Sequence, residues 1–146
     1  MAEAAIEELA LFKLAARLAQ AGDDRDAAAY RACLADMVWS GPPGEPVSVP
    51  ADLYVEHAIA RLSRTDWTHH RLANPVIDLC AGGARAGASI DVVVELSRTD
   101  AAGAQRRSTI GGRYWLGFVR DDGVWRIDRR ALQRRYWRGD PLDPPC

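Results

Sequence analysis

From His70 onward the apolar residues recur at every second position, in four runs that are long, closely spaced and separated by turn residues. Such runs fold as neighbouring antiparallel strands. They cover Arg71–Leu79, Ala84–Ser97, Ser108–Arg120 and Val124–Tyr136. In the second run Ile90, Val92 and Val94 alternate with Asp91, Val93 and Glu95, so one face of the sheet is apolar and the other mostly polar. Gly82-Gly83 turns the first strand into the second, residues Thr99 to Gln105 form a polar hairpin tip, and Asp122-Gly123 is a tight-hairpin signal. A sheet of this length needs cover on its apolar face, and that cover has to come from the N-terminal part of the chain.

The N-terminal part has a different period. Residues Ile6 to Ala21 place Ile6, Leu9, Phe12, Ala16 and Ala19 at helical spacing. Leu11, Leu14 and Leu18 widen that stripe, which predicts a helix buried over much of its girth. Gly22 is a candidate C-cap, and Asp23 or Asp24 can cap a second, Ala-rich helix from Arg25 to Leu34. Met37-Val38-Trp39 reads as a short strand that enters the loop Gly41-Pro42-Pro43-Gly44-Glu45-Pro46 and returns at Val47-Ser48-Val49. Pro50 opens a third helix from about Ala51 to Leu62. Three helices followed by four long antiparallel strands predict an α+β layer fold with a single bent sheet wrapped on one side. Gly111, Gly112 and Gly117, inside strand patterns, are the devices that permit strong bending, and a sheet so bent encloses a cavity.

Composition bounds the function. The 146 residues suit one domain, with 1–146 a single unit, a core of about 5–137 and a tail at 138–146. At 48% hydrophobic and 27% charged the chain is ordinarily globular, and its apolar runs fall far short of a spanning helix. Acids at Glu3, Glu7 and Glu8 stand where a signal peptide carries bases, so a cytoplasmic protein with no membrane partner is the expectation. The net charge of −1 gives no pull toward nucleic acid. The locally basic C-terminal third is diluted by Asp121, Asp122, Asp128, Asp140 and Asp143 and reads as an Arg-rich outer sheet face. Cys33, Cys80 and Cys146 form no disulfide framework or thiolate metal site. Cys33 and Cys80 read as small core residues, and Pro144-Pro145-Cys146 as a frayed end. No metal and no cofactor is expected, because the three histidines offer no ligand face.

Little in the chain can do chemistry apart from one pairing. His70 opens the first long strand, and Asp23 closes the first helix. An imidazole of ordinary pKa, near ~6.5, is available as a base at neutral pH, and a carboxylate beside it fixes its tautomer. The ordinary alternatives are a strand-edge histidine satisfied by backbone or water, and an aspartate used as a helix cap. His69 must face away from His70 if the strand is regular, and His57 reads as a surface residue of helix three. Tyr114 shares parity with Gly112 and Leu116, so it can offer a phenol to a pocket. Strict alternation puts Arg130 with Arg126 and Asp128, opposite Trp125 and Ile127. Either that face lines a cavity mouth or a bulge changes the register.

The order of elements, with Asp23-Asp24-Arg25-Asp26, Leu34-Ala35-Asp36-Met37-Val38-Trp39, His70-Arg71-Leu72-Ala73-Asn74 and Ile110-Gly111-Gly112-Arg113-Tyr114 running into Trp125-Arg126-Ile127 and Arg129-Arg130, resembles the SnoaL-like branch of the nuclear transport factor 2-like superfamily. That branch includes scytalone dehydratase and γ-hexachlorocyclohexane dehydrochlorinase. The resemblance implies a cone-shaped α+β barrel whose strongly bent, mostly antiparallel sheet encloses a pocket. It implies a cofactor-independent dehydratase, isomerase or cyclase acting on a small apolar, polyketide-like carbonyl substrate, with His70 as base, Asp23 orienting it and Arg130 steadying an anion. Tyr114, Trp39, Asn74 and Trp115 are the implied substrate contacts. The chain departs from scytalone dehydratase at Gly22, Gly112 and Tyr114, where that enzyme has polar pocket residues. The same scaffold resembles the small subunits of ring-hydroxylating dioxygenases, which implies the alternative of a non-catalytic binding or structural subunit. A homodimer or higher homo-oligomer is implied under both.

Overall fold

The computed structural model describes residues 1–41 and 44–140, so Pro42, Pro43 and the end at Pro144-Pro145-Cys146 lie outside the described residues. In chain order the elements are α1 (Ala2–Asp23), α2 (Ala27–Ala32), β1 (Leu34–Ser40), β2 (Val47–Pro50), α3 (Ala51–Leu62), β3 (Trp67–Leu79), β4 (Arg85–Thr99), β5 (Gln105–Asp121) and β6 (Val124–Gly139). All six strands join one sheet in the order β2-β1-β6-β5-β4-β3, with every pairing antiparallel except β1 with β6. The helices cover one face, which gives the α+β layers predicted from the periodicity and the cone that the resemblance implied.

The long strands alternate as their sequences require. Ala86, Ala88, Ile90, Val92, Val94 and Leu96 of β4 are buried, and meet Tyr114, Leu116 and Phe118 of β5 on the same face. Against them lies α1 through a single stripe of Leu11, Leu14, Ala15, Leu18 and Ala21. That stripe is narrower than the sequence suggested: Ile6 and Leu9 are 68% and 52% exposed. Phe118, Leu11, Leu34, Ile90 and Ile127 are fully buried, each contributing roughly 1.5–3 kcal/mol of transfer free energy.

Three local readings are corrected. Helix α2 has six residues instead of ten, and its last predicted residue, Leu34, is the first of β1, drawn into the sheet beside Ile127. Its N-cap is Asp26, whose Oδ1 accepts from the Ala29 N–H at 2.9 Å, which leaves Asp23 free for another role. Cys33 is buried as expected, but Cys80 is exposed in the β3–β4 turn. Gly22 lies within α1 instead of capping it; a Cβ there would touch Leu62 Cδ1 at 3.3 Å and the Tyr30 ring at 3.4 Å.

Two β-bulges bend the β5–β6 pair. Gly111 pairs with Tyr136 and Gly112 with Arg134, so Arg135 is extra. Gly117 pairs with Arg129 and Phe118 with Ile127, so Asp128 is extra. A Cβ on Gly117 would lie 2.8 Å from Asp128 Oδ1 and 2.9 Å from Arg129 Cβ, so the glycine makes room for the second bulge. Gly117→Ala is therefore expected to lower stability by about 1–3 kcal/mol, as overpacking does, read as a lower urea midpoint at constant m. An unchanged midpoint would show that the bulge tolerates a side chain.

Candidate active site

Residue parity on β3 starts the site. Thr68, His70 and Leu72 turn to the helix side, and His69 faces out, as alternation requires. The C-terminal end of α1 brings Asp23 to the same place. Its Oδ1 accepts from His70 Nδ1 at 2.6 Å and from Thr68 Oγ1 at 2.8 Å, while Oδ2 accepts from the His70 backbone N–H at 2.9 Å. Both side chains are nearly closed to solvent, 10% exposed for His70 and 14% for Asp23. Burial works against the carboxylate, but the side-chain and backbone hydrogen bonds and charge of His70, with Thr68, outweigh it and hold Asp23 below the ordinary aspartate range. An ionised carboxylate only accepts, so Nδ1 carries the proton and Nε2 is the nitrogen left for the cavity.

The lowered pKa has a consequence for stability. The unfolded value is near ~3.9. The contribution of Asp23 is therefore full above that pH and is lost as pH falls through the lower folded value. Asp23→Asn is expected to flatten the acid limb of the stability curve below about pH 4, measured by urea unfolding across pH. An acid limb as steep in the variant as in the wild type would assign that pH dependence to other carboxylates.

Arg25, read from sequence as the first residue of a helix, instead holds this corner together. With φ of 55° it turns the chain between α1 and α2. Its guanidinium donates to the Asp23 carbonyl (2.5 Å), Thr68 Oγ1 (3.1 Å), the Leu62 carbonyl (2.9 Å) and Thr65 Oγ1 (2.6 Å). Thr68 and Arg25 thus fix the carboxylate that fixes the base. Neither is read from the sequence, where the alternation opens the strand at His70; β3 begins at Trp67.

His70 lines a cavity of about 510 Å³, within the range of sites for small organic molecules. Leu18, Leu62, Leu72, Leu96, Ile110 and Leu116 give it a mostly apolar wall, with Arg61, Arg64 and Arg98 also lining it, and Tyr114 and Arg130 lie on the sheet side. The Asp128 bulge puts Arg130 there: it shifts the register by one, so Arg130 pairs with inward-facing Leu116. Of the two placements that the sequence left open, this is the bulged one. Arg130 Nη2 donates to Tyr114 Oη at 2.6 Å and Nη1 to Tyr54 Oη at 3.1 Å, with the guanidinium carbon 4.4 Å from the Tyr114 ring centre. No carboxylate of the described residues pairs with it. Burial opposes its charge, but the phenol oxygens of Tyr114, Tyr54 and Tyr30 hold it firmly cationic. Burial pushes the Tyr30 phenol up to about 12. It would also raise Tyr54, but the charge and hydrogen bond of Arg130, with Arg61 and Ser40, bring that phenol below its ordinary value.

Trp39, Trp115 and Asn74 do not line the cavity. Trp39 follows buried Val38, and Trp115 stands between buried Tyr114 and Leu116, so alternation turns both outward, 41% and 44% exposed. Asn74 has the inward parity of His70 and Leu72, but a bulge between Ala73 and Val76, with φ of 49° at Asn74, rotates it outward. There it donates to Asp91 Oδ2 at 3.0 Å. Among the described residues no cluster of three or more His, Cys, Asp or Glu could hold a metal ion. No helix of the described residues is long and apolar enough to cross a membrane.

A bent sheet closed by helices over a pocket lined by a His–Asp pair and a buried arginine defines a class of small cone-shaped pocket proteins. The family model of the SnoaL-like domain matches residues 3–131, and the chain belongs to that family, within the nuclear transport factor 2-like superfamily. Solved structures agree in fold. A protein from Kribbella flavida is 22% identical over 94% of this chain and 95% of its own, with a TM-score of 0.80. A candidate scytalone dehydratase from Novosphingobium aromaticivorans is 18% identical over 97% and 93%, with a TM-score of 0.81. The type 3 hexachlorocyclohexane dehydrochlorinase of Novosphingobium barchaimii is 15% identical over 96% of each chain, with a TM-score of 0.75. At such identities the likeness is one of fold. No curated protein matches the chain by sequence.

Proposed function

We propose that the protein is a cofactor-independent acid–base enzyme of the lyase or isomerase type. The observation that carries this reading is the 2.6 Å contact between His70 Nδ1 and Asp23, which commits one ring nitrogen and leaves the other to the apolar cavity. Nε2 takes a proton from carbon next to a carbonyl. The electron pair moves onto the carbonyl oxygen, and Arg130 steadies the resulting enolate. A guanidinium has five N–H donors, so the two bonds to tyrosines leave others for substrate. Tyr114, which accepts from Arg130, keeps its own O–H to donate to the same oxygen or to a departing group. The enolate then expels a β-substituent such as hydroxide, is reprotonated elsewhere, or attacks a second carbonyl in the same molecule. These outcomes are dehydration, isomerisation and cyclisation.

The enolising step can be tested without the natural substrate. The protein, incubated in D₂O with a panel of cyclic ketones and aryl methyl ketones, is expected to speed deuterium entry at the α-carbon, and His70→Ala is expected to abolish the effect. Exchange by the variant at the wild-type rate, or none by either protein over the whole panel, counts against the reading. A ligand-binding or assembly module is the second reading, favoured by exposed Val76 and Trp115 on the outer side of the sheet. Under either reading we propose pairing of two copies through that outer face, and sedimentation of Trp115→Glu as a monomer is the expected result.

A further inference from the structure

Charge on the cavity walls is of one sign. Arg61 on the last turn of α3, Arg64 in the turn after it, Arg98 on β4 and Arg130 on β6 all line the cavity, and no aspartate or glutamate of the described residues does. This is not the balance of the chain, which has 20 acidic and 19 basic residues. Arg61 and Arg64 are exposed at the rim, and neither pairs with a carboxylate of the described residues. Arg31, Arg71, Arg85, Arg106, Arg113 and Arg120 each have an acid within ion-pair distance, whereas Arg61 and Arg64, like Arg107 and Arg129, have none among the described residues. The backbone that carries the two rim arginines is also fixed. Arg25 donates to the Leu62 carbonyl and to Thr65 Oγ1, on either side of Arg64, and the Arg64 N–H donates to the Arg61 carbonyl at 3.2 Å. Two cations are therefore mounted on a tied-down turn above apolar walls.

We infer that the substrate is a small amphiphilic acid, with an apolar, ring-sized body in the cavity and a carboxylate held at the rim by Arg61 and Arg64. Guanidinium groups match the two oxygens of a carboxylate, and a group that stays at the rim keeps part of its hydration. Arg130, deeper in, is left for the reacting carbonyl oxygen. The inference rests on the proposed acid–base reaction only for this orientation. It specifies an acid where the cavity walls alone would admit any apolar molecule. A phosphate ester would satisfy the same two arginines, and the size of the cavity favours a simple acid, with the anion close to the ring.

Calorimetry at low salt with naphthoate, its methyl ester and naphthyl phosphate tests this on the wild type, Arg61→Gln/Arg64→Gln and His70→Ala. The ester keeps the ring and loses the charge that the rim would hold. Naphthoate is expected to bind wild type at least about tenfold tighter than the ester, as two charge-assisted contacts imply. The double variant is expected to lose that preference and keep its affinity for the ester, while His70→Ala keeps both. Equal binding of acid and ester, no binding of any probe, or a preference that survives in the double variant would overturn the inference. Tighter binding of the phosphate would overturn the choice of carboxylate. Retention of the preference by His70→Ala separates this result from the deuterium-exchange test, since either can fail while the other holds.

Discussion

Replacing His70 by alanine is expected to slow α-proton exchange of an accepted ketone by about 10²–10⁴-fold, the usual contribution of a positioned base. Asp23→Asn is expected to lose nearly as much, although it keeps the imidazole. The carboxylate of Asp23 accepts three hydrogen bonds, from Thr68 Oγ1 and His70 Nδ1 on one oxygen and from the His70 backbone N–H on the other. An asparagine has one accepting oxygen and one donating NH₂. Whichever way it turns, a donor faces a donor. If NH₂ faces Nδ1, the ring must accept there and protonate Nε2, which removes the base. If NH₂ faces the backbone N–H, the strand start is pushed away. Nitrogen chemical shifts of His70 read the tautomer, and the NMR exchange rate reads the chemistry. Wild-type exchange together with an unchanged tautomer in Asp23→Asn would remove the dyad from the mechanism.

Arg130→Met is expected to separate activity from stability. Removing a preorganised donor from a developing oxyanion typically costs about 10²–10³ in rate. The effect on folding has a different sign. Arg130 is a cation held among Tyr30, Tyr54 and Tyr114 with no described carboxylate beside it, so its desolvation is offset by phenols alone. Replacing buried charge by apolar side chains of similar volume is often neutral or stabilising where no opposite charge is left behind, and Arg130 has only phenols as partners. Methionine keeps the bulk beside Leu116 and leaves the phenols able to bond water or Ser40. Thermal unfolding is therefore expected to give an equal or higher Tm, with exchange reduced a hundredfold or more. A large fall in Tm with exchange retained would make Arg130 a structural residue, and the enolate would need another partner.

How much of this was legible before folding depends on the range of the interaction. The four long strands, their hairpins, the inward parity of His70 and Tyr114 and the outward parity of His69 follow from a period of two, which is local information. The same rule left Arg130 undecided, and it gives Asn74 the wrong side, because one extra residue reverses the parity of everything beyond it. The resemblance alone had implied Asn74 as a substrate contact. The glycines of β5 were visible as bending points, but the partner residue that bulges, Asp128 or Arg135, is chosen by pairing across strands. Trp39 and Trp115 were candidates through the resemblance, and their neighbours Val38, Tyr114 and Leu116 took the inward positions.

The sequence by itself therefore determined the class of fold, the face that β4 and β5 bury and the single imidazole available at the start of β3, since each rests on side-chain spacing within one element. The tertiary structure alone decided that Asp26 caps α2 and frees Asp23, that Arg25 locks the Asp23 corner, and that Arg130 enters the cavity among three tyrosines. The Asp26 cap and the Arg25 contact with the Asp23 carbonyl are local. The contacts of Arg25 with Leu62 and of Arg130 with Tyr114 and Tyr54, however, join residues 16 to 76 positions apart, and the side that Arg130 takes depends on one inserted residue in a strand pairing. Spacing within an element carries no information about either.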